Sequence, residues 1–457
     1  MNIYQGLMKT AVRIKRILRG NSAQTGYTRY LEKIQYKTPE EIKALQAVSL
    51  CELMKHAVKN IPYYRYIKDQ LSLTPDTAFD DIKKFPIVSK GDMIDNSKQF
   101  IDGNTPIQGE YHTGGTTGMR FDVYTDKYFT DHAVDEYFNN IIGIYPGMNR
   151  LIVNLVGHGN ILDKSIRHNI EINQLKGIYT VDHRFLNEEK LLKAVEIFEK
   201  YKPRIIWGNT HGVYTIAKYL IDNNIKITYP DVVLCGGDNL LDRYRTTIET
   251  AFHKKPIDRY ASAETGNMAN QCQLRKGYHY VPITHFIEIL DDNDLPVKDS
   301  ESGSIVITTL SKRAMPLIRY RLGDTVVKSS EPCECGSNFP ILGAVSGREK
   351  EGIRTPKGTY VSTAPFEEIL SKSGKMAEYQ AIQTGEYEIL VKIVCKNEIY
   401  SKDEEEQIKV NINHCLDCNM SISFEYVDEI KPLPNGKMIH IISSDRMKEL
   451  GYINEDL

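Results

Sequence analysis

Apolar residues recur along this chain with two different periods, and the switches between them mark out its parts. Thr38-Pro39-Glu40-Glu41 is a helix start signal. Ile42, Leu45, Val48, Leu50, Leu53 and Met54 follow it at helical spacing, so a helix is expected over 38–70. Further on, short apolar runs alternate with helical patterns. Leu151-Ile152-Val153-Asn154-Leu155-Val156 reads as a buried strand ending at Gly157, and Glu188 to Tyr201 as a helix with Leu191, Leu192, Val195 and Phe198 inward. Arg204 to Trp207 is a strand, Val213 to Leu220 a helix, Val232 to Cys235 a strand closed by Gly236-Gly237, and Arg243 to Phe252 a helix. Strands and helices alternating in this way predict parallel sheets covered on both faces.

From about residue 281 the texture changes to hairpins. Phe286 to Leu290, the turn Asp291-Asp292-Asn293-Asp294, and Gly303 to Thr308 read as an antiparallel pair. A smaller domain is expected from Arg348 onward, with helices at 366–372 and 402–414, strands at Glu388–Val394 and Ser421–Val427, and a last helix after Asp445. The expected class is therefore α/β. A large N-terminal domain, 1–347, carries parallel-rich sheets, covering helices and a small β-rich part. A small α+β domain, 348–457, follows it.

Size and charge narrow the function classes. At 457 residues the chain exceeds what one core normally serves, and 58 Lys+Arg against 60 Asp+Glu give a formal charge of -2, no field for nucleic acid. No internal repeat stands out. No apolar run has the length of a transmembrane span, and the start does not read as a secretory signal. Residues 1–20 mix Ile3, Leu7, Val12 and Ile14 with Lys9, Arg13, Lys15, Arg16 and Arg19. Such a basic amphipathic helix either packs on the body or attaches peripherally to an anionic membrane. Eight cysteines without a secretory signal predict a cytoplasmic protein whose thiols are free or bind metal.

Five short segments carry candidate chemistry. Thr113-Gly114-Gly115-Thr116-Thr117-Gly118 offers bare backbone N–H groups and hydroxyls that can surround phosphate oxygens, although a glycine-rich surface turn has the same composition. It is not a Walker loop, since Met119-Arg120 follows. In Asp258-Arg259-Tyr260-Ala261-Ser262-Ala263-Glu264, an aromatic ring able to stack a purine precedes by four residues a carboxylate able to ligate Mg²⁺. In Arg319-Tyr320-Arg321-Leu322-Gly323-Asp324, an acid after a glycine turn can accept hydrogen bonds from ribose hydroxyls. Gly347-Arg348-Glu349-Lys350 stands at the expected domain junction, and Leu433-Pro434-Asn435-Gly436-Lys437 sets a lysine on a late loop. Singly, each also reads as a solvated turn or ion pair; their order is the informative part.

In that order, and with His56-Ala57-Val58-Lys59-Asn60-Ile61-Pro62-Tyr63-Tyr64-Arg65 and Tyr201-Lys202-Pro203-Arg204-Ile205-Ile206-Trp207-Gly208, the chain resembles the phenylacetate-CoA ligase-like branch of the adenylate-forming enzymes, close to the CapK-type proteins. The resemblance runs from about residue 28 onward. It implies a mobile C-terminal lid, with Thr113 to Gly118 around the ATP phosphates and Gly236-Gly237-Asp238 with Tyr260, Ala261 and Ser262 around the nucleotide. It further implies Mg²⁺ on Glu264, the ribose on Asp324 and Arg348, a hinge at Lys350, and Lys437 as the lysine that stabilises charge during adenylation. Two departures stand out. Ala263 replaces a residue that usually carries a hydroxyl, and Met119-Arg120 replaces a proline and a basic residue.

Cys272, His279, Cys333 and Cys335 would form a Cys₃His set of the structural-zinc type. Their spacing is not that of a zinc finger and leaves free cysteines open, whereas the resemblance implies zinc. Cys415 and Cys418 read as a helix end. His158, Trp207, Asn209 and His211 follow strand ends, where pockets of parallel sheets form, and are the weak candidates for the acid pocket.

The expected activity is ATP-dependent conversion of a small carboxylic acid to an acyl-adenylate. Transfer to coenzyme A follows, or to an amine or sugar acceptor in surface polysaccharide synthesis, with which the resemblance associates CapK-type proteins. A nucleotide-binding scaffold without turnover is the rival from another class. A dimeric state is left open.

Overall fold

The computed structural model describes residues 22–113, 121–126, 128–145, 148–153, 171–173, 177–181, 188–348, 352–356, 360–431, 438–444 and 447. The basic segment 1–20 and the helix expected after Asp445 lie outside this set, apart from isolated positions of the latter. Helix α1 spans Ser22–Ile34 and α2 spans Pro39–Asn60. Thr38 caps α2 with a capping box: the Glu41 N–H donates to Thr38 Oγ1 at 3.2 Å, and the Thr38 N–H to Glu41 Oε2 at 3.0 Å. The α-helix does not continue to residue 70. Pro62 has no N–H to give and favours extended backbone before it, so Ile61 turns out of the helix (φ -92°, ψ 115°) and Pro62–Gln70 winds as 3₁₀. Val48, expected inward, is 44% exposed, because the buried stripe of α2 runs through Ile42, Leu50, Leu53 and Met54.

An antiparallel pair comes first: β1 (Gly109–Thr113) with β2 (Phe121–Thr125). Then β3 (Arg150–Val153), β4 (Glu171–Asn173), β5 (Ile178–Val181), β6 (Ile205–Asn209), β7 (Val232–Gly236), β8 (Ile257–Ser262), β9 (Gly266–Gln271), β10 (Tyr278–Tyr280), β11 (His285–Leu290), β12 (Ser302–Thr309), β13 (Tyr320–Lys328) and β14 (Ile341–Arg348) form a single sheet. Its order is β11-β12-β13-β14-β10-β9-β8-β7-β6-β3-β5-β4. Pairings β5-β3-β6-β7-β8 are parallel, because helices α4 (Glu188–Tyr201), α5 (Thr210–Asp222) and α6 (Asp242–Phe252) occupy the crossovers. The strands beyond β8 are the β-rich part and continue this same sheet, and the expected pair at 286–308 is β11 with β12, antiparallel. Helix α4 has the expected limits but a rotated face. Leu192 is 51% exposed, while Lys190, Ala194, Ile197 and Phe198 are buried.

Helix α3 (Tyr128–Ile141) buries Val134, Tyr137 and Phe138 with Leu31, Ile34, Val281 and Phe339; β6–β8 pack Ile205, Val232, Leu234 and Ile257 against Ile142 and Ile144 just after it. Gly208 sits where β6 meets β3 most tightly. A Cβ there would collide with the carbonyl oxygen of Val153 and stand 2.7 Å from Val153 Cβ. Gly208→Ala is therefore expected to cost about 2 kcal/mol of unfolding free energy, the scale of overpacking a core. Denaturant melts of the two proteins check it, and a change under about 0.5 kcal/mol would show that the two strands have room to part.

The chain divides into two compact units. The first comprises the described residues up to 113, 121–322 and 327–344, and the second begins at 345 and includes 323–326. The second unit holds a small pair, β15 (Gly352–Arg354) with β16 (Tyr360–Ser362), and a four-stranded sheet. That sheet has the order β19-β18-β17-β20, from β17 (Met376–Gly385), β18 (Glu388–Cys395), β19 (Ser421–Tyr426) and β20 (Ile441–Ile442). Helices α7 (Thr363–Ser371) and α8 (Lys402–Leu416) bury Phe366, Leu370, Ile408 and Ile412 against Tyr379, Val391 and Ile393. The stretch entering β20 is tied to β17. Ala381 N–H donates to the His440 carbonyl at 2.8 Å, Gln380 Nε2 to the Ile439 carbonyl at 2.9 Å, and the His440 ring meets Glu378 Oε1 at 3.1 Å. Among the described residues no helix is long and apolar enough to cross a membrane.

Candidate functional site

The C-terminal edge of β6, β7 and β8 gathers most of the described candidates. Strands β8 and β9 are joined by a short turn from Ser262 to Gly266, and Glu264 stands half-buried at its tip. Ser262 and Thr265 lock the turn: their hydroxyls lie 2.9 Å apart and the Thr265 N–H donates to Ser262 Oγ at 3.2 Å. Gly266 completes it at φ +79°, a conformation that favours glycine. Below it, His285 Nε2 lies 3.4 Å from the Thr265 carbonyl; burial, together with the Lys312 charge, pushes the His285 imidazole down to about 4, so it stays neutral.

Tyr260, on β8, is half-buried, with its ring edge-on to Tyr278 at 6.5 Å. The Tyr278 hydroxyl donates to Asp258 Oδ2 at 2.7 Å, and burial pushes the Asp258 carboxyl up to about 6. Two residues of β8 are thus fixed from the same side. Ala261 is exposed beside them.

The Gly236-Gly237-Asp238 turn leaves β7 for reasons visible in its neighbours. A Cβ on Gly236 would come 2.9 Å from the Arg259 carbonyl oxygen, and Gly237 has φ +86°. Asn209 does two jobs here. Its Oδ1 accepts the Gly212 N–H at 3.1 Å as the N-cap of α5, and its Nδ2 donates to Asp238 Oδ2 at 2.6 Å, while Thr210 Oγ1 donates to the Asp238 carbonyl at 3.0 Å. His211 lies in an aromatic group with Tyr214 and Tyr244, whose own rings are 4.2 Å apart. Trp207 is half-buried, with the Arg259 guanidinium 5.4 Å from its ring centre.

The Thr113↔Phe121 pairing brings together the two ends of the glycine-threonine segment. Gly114, Gly115, Thr116, Thr117 and Gly118 themselves lie outside the described residues, as do His158, Lys350 and Lys437. Asp324 is half-buried and follows Gly323 at φ +83°. Both lie within the long strand β13, not at a turn, so the glycine is a local irregularity of a ladder. Arg348 ends β14.

One charged group was not singled out from the sequence. Lys312 is 2% exposed, its Nζ 3.8 Å from Asp131 and 5.9 Å from the Tyr111 ring centre, two residues before Thr113. The Arg313 and Ala314 N–H groups anchor its loop on Asp126 Oδ1 at 2.7 and 3.1 Å. A lone lysine on a connecting segment has no periodic signature, which is why the sequence hides it.

Apart from this edge, Cys272 just after β9, His279 on β10, and Cys333 and Cys335 between β13 and β14 bring their four ligand atoms within 4.8 Å of one another. Cys272 Sγ and Cys333 Sγ are 3.7 Å apart, and Cys335 Sγ lies 3.4 Å from His279 Nε2. Tetrahedral zinc at ordinary bond lengths would put two thiolates about 3.8 Å apart, and a thiolate and an imidazole nitrogen about 3.6 Å apart. His279 Nδ1 lies 3.1 Å from the Phe339 carbonyl; donation there leaves Nε2 for the ligand, and burial holds the ring below its usual range, in the neutral form a metal needs. The donor set and its spacing fit a closed zinc site. Cys415 closes α8 and Cys418 follows its left-handed cap at Asp417, both half-buried.

Residues 353–444 match the family described as the CapK C-terminal domain. Protein CapK of Staphylococcus aureus is 25% identical over 431 residues, 90% of this chain and 92% of that protein. A phenylacetate-coenzyme A ligase of Thermus thermophilus is 24% identical over 335 residues, 70% of this chain and 73% of the ligase. Among solved structures, 2-hydroxyisobutyryl-CoA ligase in its postadenylation state, in complex with 2-HIB-AMP, superposes with a TM-score of 0.70 at 15% identity. The match covers 89% of this chain and 90% of that one, and it shows the shared fold.

Proposed function

We propose that this chain, a CapK-like member of the phenylacetate-CoA ligase-like branch of the adenylate-forming enzymes, uses ATP to convert a carboxylic acid into an acyl-adenylate with release of pyrophosphate. The observation that carries this reading is the locked Ser262–Gly266 turn. It holds Glu264 just beyond the C-terminal end of β8, on the same edge of the parallel strands as the tethered Gly236-Gly237-Asp238 turn.

The acid's carboxylate attacks the α-phosphorus, a bond to pyrophosphate breaks, and negative charge grows on the phosphoryl oxygens. The chemistry then needs donors and cations held in place beforehand. Backbone and hydroxyls of Thr113 to Gly118 would receive the phosphates, and Tyr260 would take the adenine face. Asp324 and Arg348 would hold the ribose. Mg²⁺ on Glu264 would supply charge neutralisation at the phosphates. The C-terminal unit would bring Lys437 to the α-phosphate, then move about Lys350 for transfer. Zinc on Cys272, His279, Cys333 and Cys335 would have a structural part only, tying residues 61 positions apart.

The acceptor has two candidates, coenzyme A and an amine or sugar. The match of residues 353–444 to the CapK family favours the second, because the C-terminal unit is the part that changes partners between half-reactions.

The test is acid-dependent ATP–pyrophosphate exchange over a panel of acids, followed by transfer assays with coenzyme A and with amine or sugar acceptors. Exchange is expected for one acid class, and Glu264→Gln is expected to lower it about 100-fold without unfolding the protein. ATP binding without exchange for any acid would instead favour the scaffold.

A further inference from the structure

Beyond the nucleotide groups, the α3 side of β8 and β9 holds a buried polar cluster that a packed core does not need. Arg259 and Asn270 are directly paired across the two strands, so their side chains share one face. Asp135 of α3 takes the Arg259 Nη2 hydrogen bond and that of Asn267 Nδ2, the latter at 3.0 Å. This leaves Arg259 Nη1, Asn267 Oδ1 and both Nδ2 and Oδ1 of the fully buried Asn270 without a hydrogen-bond partner among the described residues. Buried polar atoms in such number are costly unless something meets them.

On the same face Trp207, Leu234 and Ile257 are in register across β6, β7 and β8, and Gly236, paired with Arg259, adds no side chain to it. The Arg259 side chain is 13% exposed and Asp135 37%, so the cluster opens at the α3 edge. Tyr260, next along β8, points to the opposite face, which keeps the nucleotide side and this side apart.

We infer, on the basis of the adenylating function proposed above, that this cluster receives the far end of the acid, and that this end carries a neutral hydrogen-bonding group, a hydroxyl or a carboxamide. The unmet atoms are two donors, Arg259 Nη1 and Asn270 Nδ2, and two acceptors, Asn270 Oδ1 and Asn267 Oδ1. A hydroxyl or carboxamide both donates and accepts, whereas a second carboxylate only accepts. Asp135 already balances the Arg259 charge, so an extra anion gains little. Trp207 supplies an apolar wall along the stem of the acid.

The experiment compares matched acids: 4-hydroxyphenylacetate with phenylacetate, and 6-hydroxyhexanoate with hexanoate and adipate. Pyrophosphate exchange reports activation, and the shift in melting temperature on adding each acid reports binding alone. For the wild type, the hydroxylated member of each pair is expected to have a kcat/KM about 10- to 100-fold higher. In Arg259→Met the ratio falls to near one. Arg259→Lys keeps the charge beside Asp135 and a folded protein, and loses most of the discrimination with the fork. Equal use of hydroxylated and plain acids by the wild type, a ratio unmoved in both variants, or adipate equalling 6-hydroxyhexanoate would each overturn the inference. If no acid supports exchange, the adenylating function fails and the melting shifts decide this point alone. A larger shift with the hydroxylated acid that Arg259→Met removes upholds the cluster as a binding site, and equal or absent shifts reject it as one that holds ordered water.

Discussion

Lys437→Ala is expected to lower acyl-adenylate formation by about 10²- to 10³-fold, the scale of removing one charge-stabilising donor from a transition state. Attack on the α-phosphorus adds negative charge to a phosphate that is already anionic, so an ammonium placed there acts on the barrier more than on ATP binding. The assignment rests on the Leu433-Pro434-Asn435-Gly436-Lys437 segment and on the family match that contains it. Transfer from a supplied acyl-adenylate should keep most of its rate, because that half-reaction forms no new charge on the α-phosphate. Single-turnover measurement of both half-reactions in one preparation reads the difference. Loss of equal size in the two would remove Lys437 from the adenylation step and point to a folding defect or a shared role.

The cluster of Cys272, His279, Cys333 and Cys335 gives the largest expected change in stability. Protein purified without chelator should carry about one zinc per chain, and Cys272→Ser should carry almost none. Its unfolding free energy should fall by about 4 kcal/mol or more. This is less than the ~10–16 kcal/mol of a zinc-finger peptide, because the surrounding sheet retains its own core. The loss falls on β9, β10 and the Cys333–Cys335 knuckle, since Cys272 and His279 are buried and leave unmet groups behind. Cys418→Ser, outside the cluster, serves as the control and should change neither metal content nor melting. Wild-type protein free of metal, yet as stable as the loaded form, would dismiss a structural ion.

The parts of the fold that were legible in the sequence are those with a strong local pattern. Helix α4 has the limits its period announces, from Glu188 to Tyr201, yet its inward face was misjudged. Hydrophobicity places Leu192 inside, whereas the contact with the sheet selects Ala194 and Ile197 and leaves Leu192 on the outside. Strand β17, which begins Met376-Ala377-Glu378-Tyr379-Gln380-Ala381-Ile382-Gln383, has no clear period because a glutamate and two glutamines interrupt its apolar alternation. Two of those polar residues have partners far away in sequence: Gln383 bonds the Arg354 backbone and Gln380 the Ile439 carbonyl. At the site, residue type pointed to the cysteine–histidine set, whose chemistry is narrow and whose four ligand atoms the fold brings within 4.8 Å of one another. It said little about Asn209, whose two hydrogen bonds, accepted from the Gly212 N–H and donated to Asp238, depend on a tertiary approach. For Arg259 the sequence showed only a charge next to a tyrosine; its value lies in which face of β8 it occupies.

The bonds that tie residues 439 and 440 to β17 limit how the preceding lysine can travel. Lys437 is two residues before Ile439, whose carbonyl accepts from Gln380, and three before His440, held by Ala381 and Glu378. Each residue spans under about 4 Å, so the ammonium's reach while the sheet stands still is bounded by a two-residue tether and its own side chain. Under the proposed lid function, travel of that charge beyond its tether would be a displacement of the sheet that carries it. Its clock would then be the microsecond-to-millisecond one of domain motion instead of the nanoseconds of a loop, and solvent viscosity would act on turnover wherever that displacement set the pace.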